Sequence, residues 1–524
     1  MPTIHLILRG ALAAAIALAA TAHGADWPQF GYDATHSGSN TAETTITAAN
    51  VSQLISLYTN PVVLSATVDS APVYASGVVT PTGIRDLLFA FGSNNLFDGS
   101  SSMGTLFAID AGTGSVVWSK ATVGSSQHAS SSPAIDPNRQ YVYSFGLDGY
   151  VHQYRIGDGV ETQTPGPAGW PRAITLKPNA EKVASGLTIA GWNGTNYLEA
   201  VTNGYDGDGG DYQGHLVSID LATGVQHVFN AMCSDVTALL GTGGCAEVGA
   251  DTTLSGIWGR GGATFDAATG RIYVATGNGQ FNANSAGHNW GDSVLALNVD
   301  GTGSSNGIPR DSYTPSNYQS LQNSDTDLGS ISLAILPVPA ASTIQHLGMQ
   351  VGKDAVLRLI NLDNMSGAGA PAHVGGELQL LDVQQGGNGM REQPAVWVNP
   401  ADGSTWLFIG NFNGISGVRL GLNGSNQPVL SWRWNLSDSS TSPIVANGVL
   451  YTAGSCSLGF GSGPCTVVAR NPLTGSVLWT SPSLGGVHWQ SPILVNGAIY
   501  ITDNNAQLWR FGLDRIFKDG FDGG

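Results

Sequence analysis

The sequence predicts an all-β protein: an eight-bladed β-propeller of four-stranded antiparallel sheets, closed into a ring by an N-terminal strand. Three observations predict it. The 524-residue chain carries 72 Gly, 13 Trp and only 11% charged residues, which is the composition of many short strands joined by tight turns. A two-part phrase of strand and turn signals recurs along the chain. The last copy of that phrase is incomplete, and the N-terminus holds a lone strand to complete it.

The elements follow in chain order. MPTIHLILRGALAAAIALAATAHGADW opens with Arg9 and an Ala/Leu-rich run, which predicts a signal peptide over residues 1–24, cleaved between about Ala22 and Ala25. No cysteine lies near that point, which argues against a lipoprotein anchor, and no later apolar run is long enough to span a bilayer. The expected product is periplasmic or secreted, with the propeller over 25–516 and a tail at 517–524.

The first part of the phrase is a small residue, Pro, apolar residues, a turn and an apolar-Tyr strand: SAPVYASGVV at 70, SSPAIDPNRQYVYSFG at 131, TSPIVANGVLYTAG at 441 and QSPILVNGAIYITD at 490. The Asn447-Gly448 and Asn496-Gly497 pairs favour the positive φ that two-residue hairpin turns require. The second part is an alternating strand, a Thr-Gly turn and often a Trp ending, as in LFAIDAGTGSVVW, LVSIDLATGVQHVF and VVARNPLTGSVLW.

Units begin near Ser70, Ser131, Val183, Gly256, Gly329, Met390, Thr441 and Gln490, and the phrase is faintest at Val183 and Gly329. Their spacing, roughly 50 to 60 residues for most and about 73 for the units beginning at Val183 and Gly256, exceeds that of common propeller repeats, so extra residues are expected in loops on one face. The last unit stops at WRFGL, and ANVSQLISLYT supplies a strand before the first. Joining them buries both end faces and leaves no free edge. Two packed β-sandwiches would not explain a phrase that repeats to the end.

With 37 acidic and 20 basic side chains, the net charge of −17 disfavours nucleic acid and anionic membranes, so an anionic ligand needs a local cationic pocket. Cys233 with Cys245, and Cys456 with Cys465, are each separated by a short Gly-rich segment, which predicts two local disulfides in an oxidising compartment. There is no CxxC, and no CxxCH that would attach a haem. Walker and HExxH motifs are also missing.

DWPQFGYDATHSGSN...ITAANVSQL and the AIDAGTGSVVW phrase resemble the lead-in and the blade-ending tryptophan motif of the quinoprotein, or PQQ-binding, eight-bladed propeller family. That family includes bacterial alcohol and polyvinyl-alcohol dehydrogenases, and its superfamily includes non-catalytic scaffolds. The resemblance implies roles for particular residues. In WGRGGATFDAATGRIYVATGNG, Trp258 is similar to the Trp on which the flat quinone stacks, and Asn278 to a metal ligand in a Gly-Asn pair. In NSDTDLGS, Asp325 matches the Asp that takes the alcohol proton while touching the metal, and Asp327 a second acidic residue found in some members. In VGKDAVLRLINLDN, Lys353 resembles the cation that approaches the quinone oxygen.

The implied cofactors are PQQ and calcium or a lanthanide, with Asn278, Asp325 and Asp327 as metal ligands. Each residue has a plainer reading as well: Trp258 docking blades, Gly277-Asn278-Gly279 and Asp325-Thr326-Asp327 forming turns, Lys353 solvated at a strand start. Arg260, Arg391 and His288 are further candidates without an assigned role. Two departures stand out. The chain has no adjacent cysteine pair, and YDGDGGDYQGHLVSIDLATG lacks the family's metal-binding Glu, with Asp208 and Asp211 only near its place. YDGDGGD also reads as a separate calcium loop. The expected function is alcohol oxidation by hydride transfer to PQQ, with a small or polymeric alcohol as substrate and an external electron acceptor. The alternative is a non-catalytic propeller that binds a protein or an envelope polymer.

Overall fold

The computed structural model describes residues 24–94, 103–124, 127–163, 169–205, 209–245, 255–386, 390–454, 456 and 463–514. The expected leader, apart from Gly24, and the tail at 517–524 lie outside them.

Eight antiparallel sheets form the ring. Blade 1 comprises Val73–Thr80, Gly83–Ser93, Met103–Asp110 and Val116–Val123, running from the axis outward. The innermost strands of blades 2 to 8 are Ala134–Ile135, Thr188–Trp192, Thr264–Asp266, Ala334–Leu336, Ala395–Val398, Ile444–Ala446 and Ile493–Val495. Blades 3 and 5, where the phrase is faintest, are complete four-stranded sheets. Blade 8 borrows its outer edge as expected: Ile55–Ser56 and Val62–Val63 both pair antiparallel with Gln507–Gly512.

Local chemistry accounts for the repeats. Asn447 and Gly448 take φ of 46° and 71°, the paired positive values of a tight hairpin turn. The Thr-Gly turn works differently: Gly475, at φ 74°, donates its N–H to the Asn471 carbonyl at 2.8 Å. The tryptophan that ends the phrase then reaches the next blade. Trp118 Nε1 donates to the Ile156 carbonyl (3.0 Å), Trp434 Nε1 to Pro472 (2.9 Å) and Trp479 Nε1 to Leu54 on the closing segment (3.1 Å). Inner strands such as Ile444–Ala446 are wholly buried, whereas outer strands such as Val477–Thr480 are partly exposed. The core therefore lies between blades and toward the axis.

Both expected disulfides, Cys233–Cys245 and Cys456–Cys465, are formed. No helix among the described residues is long and apolar enough to cross a membrane.

The lead-in does more than precede the first blade. Residues 27–40 thread the axis and bond to seven of the eight blades. Trp27 pairs with Tyr74, Pro28 accepts from Ile135, Ala34 from Phe265, Ser37 from Val396 and Gly38 from Val445. Gln29 Oε1 accepts from Ile189 N, and Asn40 Nδ2 donates to Leu494 O. Ser39–Asn40 adds a parallel strand on the axial side of blade 7. The buried His36 imidazole lies 2.9 Å from both the Phe30 and Ala263 carbonyls, and burial lowers its pKa. This packing leaves a void of only about 10 Å³ around Phe30 and His36, so one end of the channel is plugged.

Candidate functional site

The open end of the axis is a cavity of about 320 Å³. Trp258, Asn278, Asp325, Asp327 and Lys353 all line it, although 95 positions separate the first from the last. Arg260 and Arg391 line it as well. Three of the lining residues, Lys182, Tyr205 and Trp489, were not singled out in the sequence. His288 does not line it; its Nδ1 lies 3.8 Å from Asp235. Asp211 is also elsewhere, accepting from Gly243 N at 2.7 Å and lying 3.8 Å from Lys177 Nζ. Asp208 lies outside the described residues, and with it part of the YDGDGGD segment.

The pairing of Trp258 with Asn278 has a backbone cause. Ser255 N donates to Asn278 O (3.0 Å) and Gly277 N to Gly256 O (2.8 Å), which zips the run before the hairpin to the run after it. Gly277 leaves room for Asp327 as it stands, because a Cβ there would lie 2.4 Å from Asp327 Oδ1 and force it to shift. That oxygen instead accepts the Asn278 N–H at 2.7 Å.

Asp325 follows the short helix Tyr318–Asn323 and takes φ 49°, a left-handed conformation that Asp tolerates better than most residues. The turn lifts its side chain into the open, 65% exposed, while Asp327 is 6% exposed. Lys353 joins the two. Its Nζ lies 2.6 Å from Asp327 Oδ2, 3.2 Å from Asp325 Oδ1 and 3.4 Å from the Asp325 carbonyl. Burial would depress the Lys353 pKa, but Asp327 and Asp325 outweigh it and hold it above the usual lysine value. The same Nζ lies 5.4 Å from the centroid of the half-buried Trp258 ring.

Beneath the cavity lies a buried charge cluster. Arg260, 2% exposed, donates to the carbonyls of Ala184 (2.6 Å), Ser130 (3.2 Å) and Trp489 (3.3 Å). Its guanidinium lies 5.6 Å from the Trp489 ring centroid and 5.7 Å from that of Phe30 in the plug. Asp69 accepts from Trp489 N at 3.1 Å and lies 3.0 Å from His488 Nδ1. Burial pushes the Glu392 carboxyl up to about 7, against the opposing pull of its Ser442 hydrogen bond and of Arg260.

The architecture matches solved structures. A europium-containing methanol dehydrogenase superposes with a TM-score of 0.63 at 12% identity, over 94% of this chain and 98% of that one. Quinohemoprotein alcohol dehydrogenases from Comamonas testosteroni (0.59, 15%) and Pseudomonas putida HK5 (0.60, 13%) each match 93% of this chain and 80% of theirs. The chain shares the eight-bladed propeller fold of these dehydrogenases. At such identities the likeness establishes the architecture of this propeller alone, and its chemistry must be argued from its residues. No protein-family model matches the chain, and no curated protein matches it in sequence.

The cavity suits one of the two groups that the resemblance implied. Four cations, Lys182, Arg260, Lys353 and Arg391, and two carboxylates line it, on a chain whose net charge is −17. With Trp258 and Trp489 as aromatic walls, this lining fits a flat polyanion such as PQQ. The lining does not fit a divalent cation. Asn278, Asp325 and Asp327 do come together, but they gather around Lys353. Asn278 offers Asp325 its Nδ2, at 3.3 Å. Among the described residues no three acidic, His or Cys side chains are placed to hold a metal.

Proposed function

We propose that the protein is an exported quinoprotein-type oxidoreductase that oxidises an alcohol, with PQQ bound in the axial cavity. The observation that carries this reading is the convergence of Trp258, Asn278, Asp325 and Lys353 on one cationic cavity. The pairing of all four cysteines supports export to an oxidising compartment.

PQQ, when bound, supplies a two-electron acceptor for the hydride leaving the alcohol carbon. Trp258 would offer a flat ring a face to stack on. Lys182, Arg391 and Arg260 would attract its carboxylates. Asp325 binds the substrate: Lys353 and Asn278 both address its Oδ1, which leaves Oδ2 to accept the hydroxyl proton as the carbon gives up its hydride. Lys353 keeps a positive charge beside both the carboxylate and the indole, where negative charge grows on the acceptor. The chain has no CxxCH to hold a haem, so turnover would need an external electron acceptor.

The test is dye reduction by PQQ-loaded protein across a panel of small and polymeric alcohols. Turnover with at least one alcohol is expected, and Asp325→Asn should lower kcat by 10²-fold or more while leaving the PQQ Kd within about threefold. Unchanged turnover in that variant would remove Asp325 from the chemistry.

A further inference from the structure

We infer that the Lys353 ammonium is a built-in substitute for a metal ion, so that this site works with an internal organic cation and binds no divalent or trivalent metal. The inference rests on the proposed quinone site for its purpose, but its evidence is the local geometry alone.

An ammonium has three donors, and Lys353 Nζ has three oxygen partners: Asp327 Oδ2 at 2.6 Å, Asp325 Oδ1 at 3.2 Å and the Asp325 carbonyl at 3.4 Å. Its donor set is therefore full. The backbone fixes the stem as well, since Lys353 N donates to the Asp327 carbonyl at 2.9 Å, so Lys353 is tied to the Asp327 backbone and side chain together.

The surrounding polar atoms are arranged for an ammonium. Asp327 has its other oxygen committed to the Asn278 N–H. Asn278 places its side-chain NH₂ toward Asp325. A hard cation of calcium size takes six to eight oxygens at about 2.3–2.6 Å. Here the two carboxylates already share one cation, and Asp211, near the place where a further acid was sought, is bonded to Gly243. Lys353 is only 15% exposed and anchored at both ends, so it cannot swing out to admit an ion without leaving Asp327.

A positive charge at this point does what a bound cation would do for the proposed reaction. It keeps Asp325 oriented beside the substrate, and it stabilises negative charge on the acceptor. It does so with no loading step and no dependence on metal supply.

The test uses the purified mature protein, stripped with EDTA, in three forms: wild type, Lys353→Met and Lys353→Met/Asp325→Asn, with folding checked by circular dichroism. Terbium(III) is titrated without quinone, with tryptophan-sensitised emission as the readout, and calcium competition follows. Binding that persists in the double variant belongs elsewhere on the chain and is subtracted. The expected result is no remaining binding in the wild type, and a new site in Lys353→Met at least tenfold tighter than any wild-type signal. A wild-type site that is absent from the double variant would overturn the inference, as would a folded Lys353→Met protein that gains no site. In parallel, PQQ is titrated into wild type in EDTA and in calcium. Equal affinities support the inference, and a tenfold gain with calcium overturns it. Failure to bind PQQ in both buffers would instead remove the cofactor reading, leaving the terbium result to stand alone.

Discussion

Glu392 shows how the propeller axis constrains single residues. It is buried, Ser442 bonds one of its oxygens, and its Oε1 has no hydrogen-bond partner. Its pKa, pushed up to about 7 from the ordinary 4.5, means that the fold holds the proton more tightly than the unfolded chain does. The stabilisation is therefore fully present below about pH 4.5 and is lost as pH rises through about 7, with a size of order 3 kcal/mol. Thermal melts between pH 5 and 8 should show wild type losing more stability than Glu392→Gln; parallel curves would contradict the assignment. Trp258→Ala should weaken PQQ binding about tenfold, the value of about 1.4 kcal/mol of lost stacking. Trp258, Asn278, Asp325, Asp327 and Lys353 could be singled out because each sits in a phrase resembling a known family, and all five line the cavity. Lys182 sits in no such phrase. Trp489 carried a signal that went unread: Ser130, Arg391 and Trp489 each stand three places before the Pro that opens a blade, at Pro133, Pro394 and Pro492, and all three line the cavity.

At the scale of elements, the Gly277-Asn278-Gly279 run and the Asp325–Asp327 turn form one unit held by a hydrogen bond from Asn278 N to Asp327. Gly277→Ala places a methyl 2.4 Å from that oxygen, so Asp327 must shift and take Lys353 with it. The variant should stay folded yet bind PQQ at least tenfold more weakly, as read by calorimetry; unchanged affinity would show that this contact does not set the site. Blade docking gives a separate prediction. Trp118 is 9% exposed and bonds to Ile156 on the next blade, so Trp118→Ala should cost about 3–5 kcal/mol in denaturant melts. A loss below about 1 kcal/mol would mean that the inter-blade tryptophan is dispensable. Hairpins and Thr-Gly turns were legible because their causes are local: a positive φ at Gly448, or a bond spanning four residues at Gly475.

The whole molecule is a ring closed twice. Ile55–Ser56 and Val62–Val63 seal the circumference, and residues 27–40 seal the axis. The first closure was legible because an incomplete last unit needs an outer strand. The second was not, because the plug's partners lie as far as 454 residues away, as with Asn40 and Leu494, and leave no local pattern. The plug also gives the site its floor, since Phe30 lies against Arg260 beneath the cavity. One open mouth results, lined by cations on an otherwise acidic protein. The central claim is that this mouth binds a flat, anionic quinone, and calorimetric titration of PQQ into the EDTA-treated protein tests it most directly. The account predicts one equivalent bound with a Kd on the order of 1 μM or tighter, weakened at least tenfold by Arg391→Ala. No heat of binding at about 100 μM PQQ, or binding indifferent to both Arg391→Ala and Trp258→Ala, would contradict it.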